Sequence, residues 1–353
     1  MTGSAKTRVL TLALPAVAAI GAIAFAQSAG QAPAPPAAAE APVPVTPAEV
    51  RATIGELADL LAANFVYPET GARYAAALRA KLAAGGYAGM TDPKAFAGQV
   101  TKDLQAVAPD GHLQLYAPGA YTPVSPARTA SAPAIEEAKW IADGVAYIRF
   151  NSFPDDPETV AAVERFMAAH VTARALIIDA RAHRGGGIAP ADVMLPYLYA
   201  KPTALVMMET RADAEASGRF PSPGEPSLHR VPSPKEVVRR EHRVEPHPTE
   251  KRLFDAQVFY LTSGRTASAA EHLALAFKRT GRATLIGETT RGAGHFGTIP
   301  SIGRFTAFVP VGRTYDPTTG KGWEGTGVEP DVKVPTDRAL DEALKRAGVK
   351  TGA

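Results

Sequence analysis

An α/β fold with a mostly parallel sheet, preceded by a small helical unit, is what the 353-residue sequence predicts. Three observations predict it. Segments after Thr46 repeat apolar residues at helical spacing; from Trp140 onward short, wholly apolar runs replace them; and helical segments fall between those runs. Apolar runs without polar alternation mark strands covered on both faces, and strands alternating with helices require crossover connections.

The order of elements follows from local signals. Lys6 and Arg8 precede an apolar stretch over residues 9–26 that closes on Ala24-Phe25-Ala26, the small-x-small pattern of a signal-peptidase site. Residues 1–26 are therefore expected to be a signal peptide. The alternative is an uncleaved anchor, but Pro15 interrupts a run that barely reaches the roughly 20 residues needed to span a bilayer. Residues 27–45, rich in Ala and Pro, read as an extended linker. Thr46-Pro47-Ala48-Glu49 carries a cap, a first-turn proline and a capping-box acid. It opens a helical subdomain over residues 46–115, with further helices over 71–83 and from Asp92-Pro93 to about Val107. Strands are expected over 145–150, 175–178, 258–261 and 283–286. Helices are expected after Asp156-Pro157, over 190–199 and over 268–278. Residues 211–247, dense in Pro, Arg and Glu, read as an irregular surface excursion.

Composition excludes several functions. The net charge of +3 includes Lys6 and Arg8; without them +1 is left, too little for a nucleic-acid surface. With no cysteine, disulfides, thiol catalysis and thiolate metal sites are ruled out. No histidine pair has the helical spacing of a zinc motif, so neither metal nor other cofactor is expected. The signal peptide predicts a periplasmic or extracellular protein with no stable membrane insertion after cleavage.

Chemistry concentrates in four segments. Residues 259–271 read as strand, tight turn and helix start, with Ser268 at a helix amino terminus where unpaired amides favour developing negative charge. Ser268-Ala269-Ala270-Glu271 is equally a capping box, and such serines commonly do no more than cap. Residues 175–187 run from a buried strand into Gly185-Gly186-Gly187, where backbone amides can approach a ligand closely. Asp110-Gly111-His112 lies between helical unit and sheet, and residues 322–331 form the fourth segment.

In this order, the four segments resemble the tail-specific (carboxy-terminal-processing) serine peptidase family, in the branch of interphotoreceptor retinoid-binding protein and tricorn-type cores. The resemblance rests on Ser268 within Thr-Ala-Ser-Ala-Ala-Glu, on Asp179, Arg181, Gly185 and Gly186, on Gly287-Glu288-Thr289-Thr290, and on Gly327-Val328-Glu329-Pro330-Asp331. It implies a crotonase/ClpP-like catalytic core over residues 138–348. It also implies a polypeptide substrate and Ser268 as nucleophile, with the amides of Ala269 and of Gly185 or Gly186 as oxyanion hole. Many members pair the serine with a lysine, but Ala293 stands at that position and Arg291 cannot accept a proton. Tricorn-type matching instead assigns His112 as base and Glu324 as its carboxylate, with His295 the rival base. His272 is expected on the exposed side of its helix, His242 and His247 in the solvated excursion, and His183 where the family has asparagine. No PDZ module fits in the roughly thirty residues between His112 and the strand at Val145. The sequence thus predicts peptide-bond hydrolysis of exported proteins or peptides through Ser268, His112 and Glu324. The alternative is a catalytically silent binder of hydrophobic ligands.

Overall fold

Thr46 caps the first helix, Pro47–Asn64, and the capping box with Glu49 is complete. The computed structural model describes Met1 and residues 43–121, 132–222 and 224–349, so the expected signal peptide and the expected linker to residue 42 lie outside the described residues. The last linker residues are not free: Val45 is buried and its N–H donates to Thr91 O at 2.7 Å, while Arg304 holds the Val43 and Pro44 carbonyls. Helices Pro68–Ala83 and Pro93–Val107 follow, the second capped by Asp92. Their apolar faces, including Ile54, Leu61, Tyr74 and Phe96, share one core with Phe305, Ala307 and Val309 of the Phe305–Tyr315 strand. Helical unit and sheet are therefore packed together, which brings the turn after Val107 toward the second half of the chain.

A mostly parallel sheet is only half of the architecture. Six strands run in the order Val332–Lys333, Thr284–Gly287, Gln257–Thr262, Ala175–Asp179, Val145–Phe150, Ile135–Ala142, parallel except for the last pair. A second, antiparallel sheet is organised around Phe305–Tyr315, which pairs with Gln114–Tyr116 on one side and Thr203–Arg211 on the other. Residues 211–247 correct the expected irregular excursion: they supply strands Leu228–Val231 and Val237–Val244, which extend that second sheet. The charges hid the strand. In Val237–Val244 the arginines are paired on both faces: Arg239 with Glu209 of the neighbouring strand at 2.6 Å, and Arg240 with Glu215 of the short helix Ala212–Ala216 at 2.5 Å. A cross-strand ion pair such as the first supports a ladder without an apolar run.

Helix Ala269–Thr280 buries Leu273 and Phe277 completely against the parallel sheet and stops at Gly281, whose φ of +66° suits the left-handed terminus. Each such side chain contributes about 1.5–3 kcal/mol through burial. That anchorage holds the helix start at the carboxyl end of the central Gln257–Thr262 strand, where open parallel sheets form sites.

Candidate active site

Ser268 sits on a strained turn. The chain leaves Gln257–Thr262 and is tied to the neighbouring loop by Ser263 Oγ donating to Arg181 O (2.6 Å), Thr266 Oγ1 donating to Ala180 O (2.8 Å) and Ala267 N–H donating to His183 O (3.0 Å). Among the described residues Ser268 alone combines a side chain with positive φ, at +57° and ψ −119°. A non-glycine residue there is strained by about 1–3 kcal/mol, and such strain clusters at active sites. Ser268 and Glu271 approach as a capping box. Yet the Glu271 N–H donates at 2.8 Å to the Ser268 carbonyl, and the hydroxyl makes no cap hydrogen bond. An ordinary cap has extended backbone; this serine does not.

The glycine turn lies against it. Asp179 is fully buried and gripped by the Arg181 guanidinium and by the Tyr147 hydroxyl, which anchors the turn. A Cβ on Gly185, where φ is +100°, would lie 2.7 Å from the Ser268 Cβ, so a side chain there would collide with the serine. The amides divide. Gly185 N–H donates to His183 Nδ1 at 3.0 Å, whereas those of Gly186 and Ala269 have no acceptor among the described residues. The oxyanion donors left available are therefore Gly186 and Ala269. His183, fully buried, has its pKa pushed down to about 3 by desolvation, so it stays a neutral acceptor.

Asp110 and Glu324 organise the two candidate bases. His295 Nδ1 lies 2.7 Å from Asp110 Oδ2 and 3.8 Å from Glu324 Oε2, and its ring is walled by Tyr67 and Phe65. Asp110 Oδ1 accepts the N–H groups of His112 and Leu113. Burial alone would raise the Asp110 carboxyl, but the His295 contact and those amides outweigh it and hold it below the ordinary carboxylate value. Glu324 joins the two loops: Oε1 accepts Gly111 N–H at 2.6 Å, and Oε2 accepts the N–H groups of Gly294 and His295. One ligand atom from each of Asp110, His295 and Glu324 lies within 4.8 Å of the others. A cation entering there would have to displace those hydrogen bonds.

His112 is arranged differently. Its ring stacks on Phe308 (centroids 4.7 Å apart), its Nδ1 is buried without a partner, and desolvation pushes its pKa down to about 4. Glu324 contacts the backbone of the His112 turn and not its ring. The expected pairing of these two side chains is thus absent, and a His–carboxylate pair forms at His295 instead. His272 and His242 also depart from expectation: both are buried and bonded to each other, because the 211–247 segment folds over the helix as strand. His247 behaves differently, accepting the Glu250 N–H through Nδ1.

A cleft of about 410 Å³ connects these groups, with Ser268, Ala269, Gly186, His112, His295 and Phe308 in its wall. Two residues in the site had no part in the chemistry expected from sequence. Asp110 sits two positions before His112, a signal visible in the motif but silent about which imidazole it serves. Buried Glu271 accepts Ser268 N–H, Thr290 Oγ1–H and the amides of Gly292 and Ala293, so it ties the nucleophile turn to the loop carrying His295.

Comparison with known proteins places the chain's family and fold. The profile of peptidase family S41 matches residues 144–334, and that of the N-terminal domain of peptidase S41 in eukaryotic IRBP matches residues 41–141. Among solved structures, a putative peptidase from Parabacteroides merdae superposes with a TM-score of 0.58 at 14% identity, covering 87% of this chain and 98% of that one. The photosystem II D1 C-terminal processing protease gives 0.54 at 14% identity, over 87% and 98%. The tricorn protease gives 0.52 at 14% identity, over 86% of this chain and 36% of the longer one. At these identities the likeness is one of fold.

Proposed function

The chain belongs to peptidase family S41, a family of serine-type peptidases, and on that premise we propose that it hydrolyses peptide bonds by attack of Ser268 with His295 as general base. The observation that carries the choice of base is the 2.7 Å contact between His295 Nδ1 and Asp110. In a working triad the carboxylate fixes the tautomer and supports the imidazolium. His295 Nε2 then takes the Ser268 proton as Oγ bonds to the substrate carbonyl carbon. The Gly186 and Ala269 amides receive the oxyanion. The same imidazole returns the proton to the leaving amine, and water repeats the sequence on the acyl-enzyme.

A second arrangement keeps Ser268 but uses His112, the residue matched by the tricorn-type motif. It is favoured by the neutral His112 ring in the same cleft wall and by Glu324 holding its turn through Gly111. The signal-peptide pattern read at residues 1–26 supports substrates among exported or periplasmic polypeptides. Among the described residues no helix is long and apolar enough to cross a membrane. Ligand binding without catalysis has its own support in an apolar cavity of about 400 Å³ lined by Val45, Val50, Leu82, Tyr87 and Met90.

A fluorophosphonate labels an activated serine only. Labelling of the full chain that disappears in Ser268→Ala and His295→Ala but survives in His112→Ala is expected. Loss in His112→Ala with retention in His295→Ala transfers the base role to His112, and no labelling in any form leaves ligand binding as the function. Ser268→Ala is expected to cost roughly 10⁴-fold or more in turnover.

A further inference from the structure

The buried imidazoles of His272 and His242 take no part in the chemistry above. His272 lies one turn along the helix from Ser268, donating its backbone N–H to the Ser268 carbonyl at 2.9 Å, and it lines the same cleft. Its Nε2 meets His242 Nδ1 at 2.7 Å; His242 Nε2 meets Asp192 Oδ1 at 2.8 Å; and Ser227 Oγ donates to Asp192 Oδ2 at 2.6 Å. The order of protons in this chain is dictated by its end. An ionised carboxylate only accepts, so His242 carries its proton on Nε2 and offers a lone pair at Nδ1. With a neutral His242, His272 carries its proton on Nε2, which leaves Nδ1 as an acceptor. That nitrogen has no partner among the described residues, in a residue only 6% exposed.

Asp155 lines the same cleft beside Gly186 and Gly187. The missing Gly187 side chain makes room for it, since a Cβ there would overlap the Asp155 carboxylate at 1.7 Å. Its one hydrogen bond is a long one, 3.3 Å from Ala189 N–H, and no ion pair neutralises it among the described residues. Partial burial raises its pKa, with Asp192 and Asp156 adding to the rise. The cleft wall therefore offers an exposed carboxylate with no ion pair among the described residues and a pre-set imidazole acceptor without a donor. Arg184 is exposed at the rim and forms no ion pair with Asp155.

We infer that Asp155 and His272 form an acceptor subsite that selects substrates carrying a lysine or arginine side chain close to the scissile bond. A basic side chain satisfies both groups: its charge meets the carboxylate and its N–H reaches His272 Nδ1, whereas an acidic one meets two acceptors and repulsion. His242 and Asp192 are positioning residues, since they set the His272 tautomer without reaching the cleft themselves.

This inference rests on the peptidase reading for the identity of the ligand, so its test uses binding and not turnover. The full chain carrying Ser268→Ala is titrated with fluorescent peptides of one sequence in which lysine, norleucine or glutamate replaces each position in turn. At one position lysine is expected to bind about tenfold tighter than norleucine, equivalent to about 1.4 kcal/mol, with glutamate weaker than both. Adding Asp155→Asn is expected to bring lysine to within about twofold of norleucine. The absence of any lysine-preferring position overturns the inference, as does a preference unchanged in both Asp155→Asn and His272→Gln. Failure of the unmodified chain to cleave peptides that bind with this preference overturns the peptidase reading alone.

Discussion

His295 Nδ1 lies 2.7 Å from Asp110 Oδ2, joining a loop near the carboxyl end of the chain to the turn that leaves the helical unit. The histidine and Ser268 line the same cleft, and the aspartate is almost wholly buried. Replacing that carboxylate by its amide keeps the shape and reverses the proton preference of the ring. Asp110→Asn is expected to lower kcat by roughly 10³–10⁴ while KM changes little, as measured on a fluorogenic peptide. A loss below tenfold would remove Asp110 from the proton path.

Ser268 is held at φ +57°, a region that glycine enters freely. Ser268→Gly is expected to abolish turnover yet raise stability by about 1 kcal/mol in denaturant unfolding. A serine acting only as a helix cap predicts the reverse for Ser268→Ala, a loss of about 1 kcal/mol. Comparing the two variants separates strain from capping.

Glu271 accepts four hydrogen bonds from buried donors on two loops. A glutamine has one acceptor oxygen and turns an NH₂ toward donors. Glu271→Gln is expected to destabilise the fold by about 2–4 kcal/mol and to lower activity further by loosening the His295 loop. Urea titration beside kcat on the fully folded fraction distinguishes the two effects.

Acid stability follows from the buried imidazoles. His112 and His183 remain neutral in the fold down to about pH 4 and about pH 3, while unfolded histidines protonate near 6.5. Between those values the unfolded chain binds more protons, so this stability is complete above about pH 6.5 and declines as pH falls. Asp110, with its pKa held low, adds a further loss at more acid pH; Glu271, whose pKa burial raises, opposes it. His183→Asn preserves an acceptor for Gly185 N–H. The variant is expected to keep activity and to show a shallower fall of Tm between pH 6.5 and 4. An unchanged slope would assign the acid sensitivity to other groups.

The sequence by itself determined the elements whose signals are local. The Thr46 capping box, the helices after Asp92 and Asp156 and the four apolar strands each depend on neighbours a few residues away, and all formed close to their expected bounds. The strained turn at Ser268 was legible as strand, turn and helix start, although its backbone angle was not. What only the tertiary structure decided is pairing between distant segments. Val237–Val244 became a sheet strand because its arginines found Glu209 and Glu215; His242 of that strand and His272 of the Ala269–Thr280 helix became buried against each other. The carboxylate beside His295 came from 185 residues away. Spacing along a chain carries no information about which acid reaches which imidazole, since that choice is made when the helical unit packs on the Phe305–Tyr315 strand.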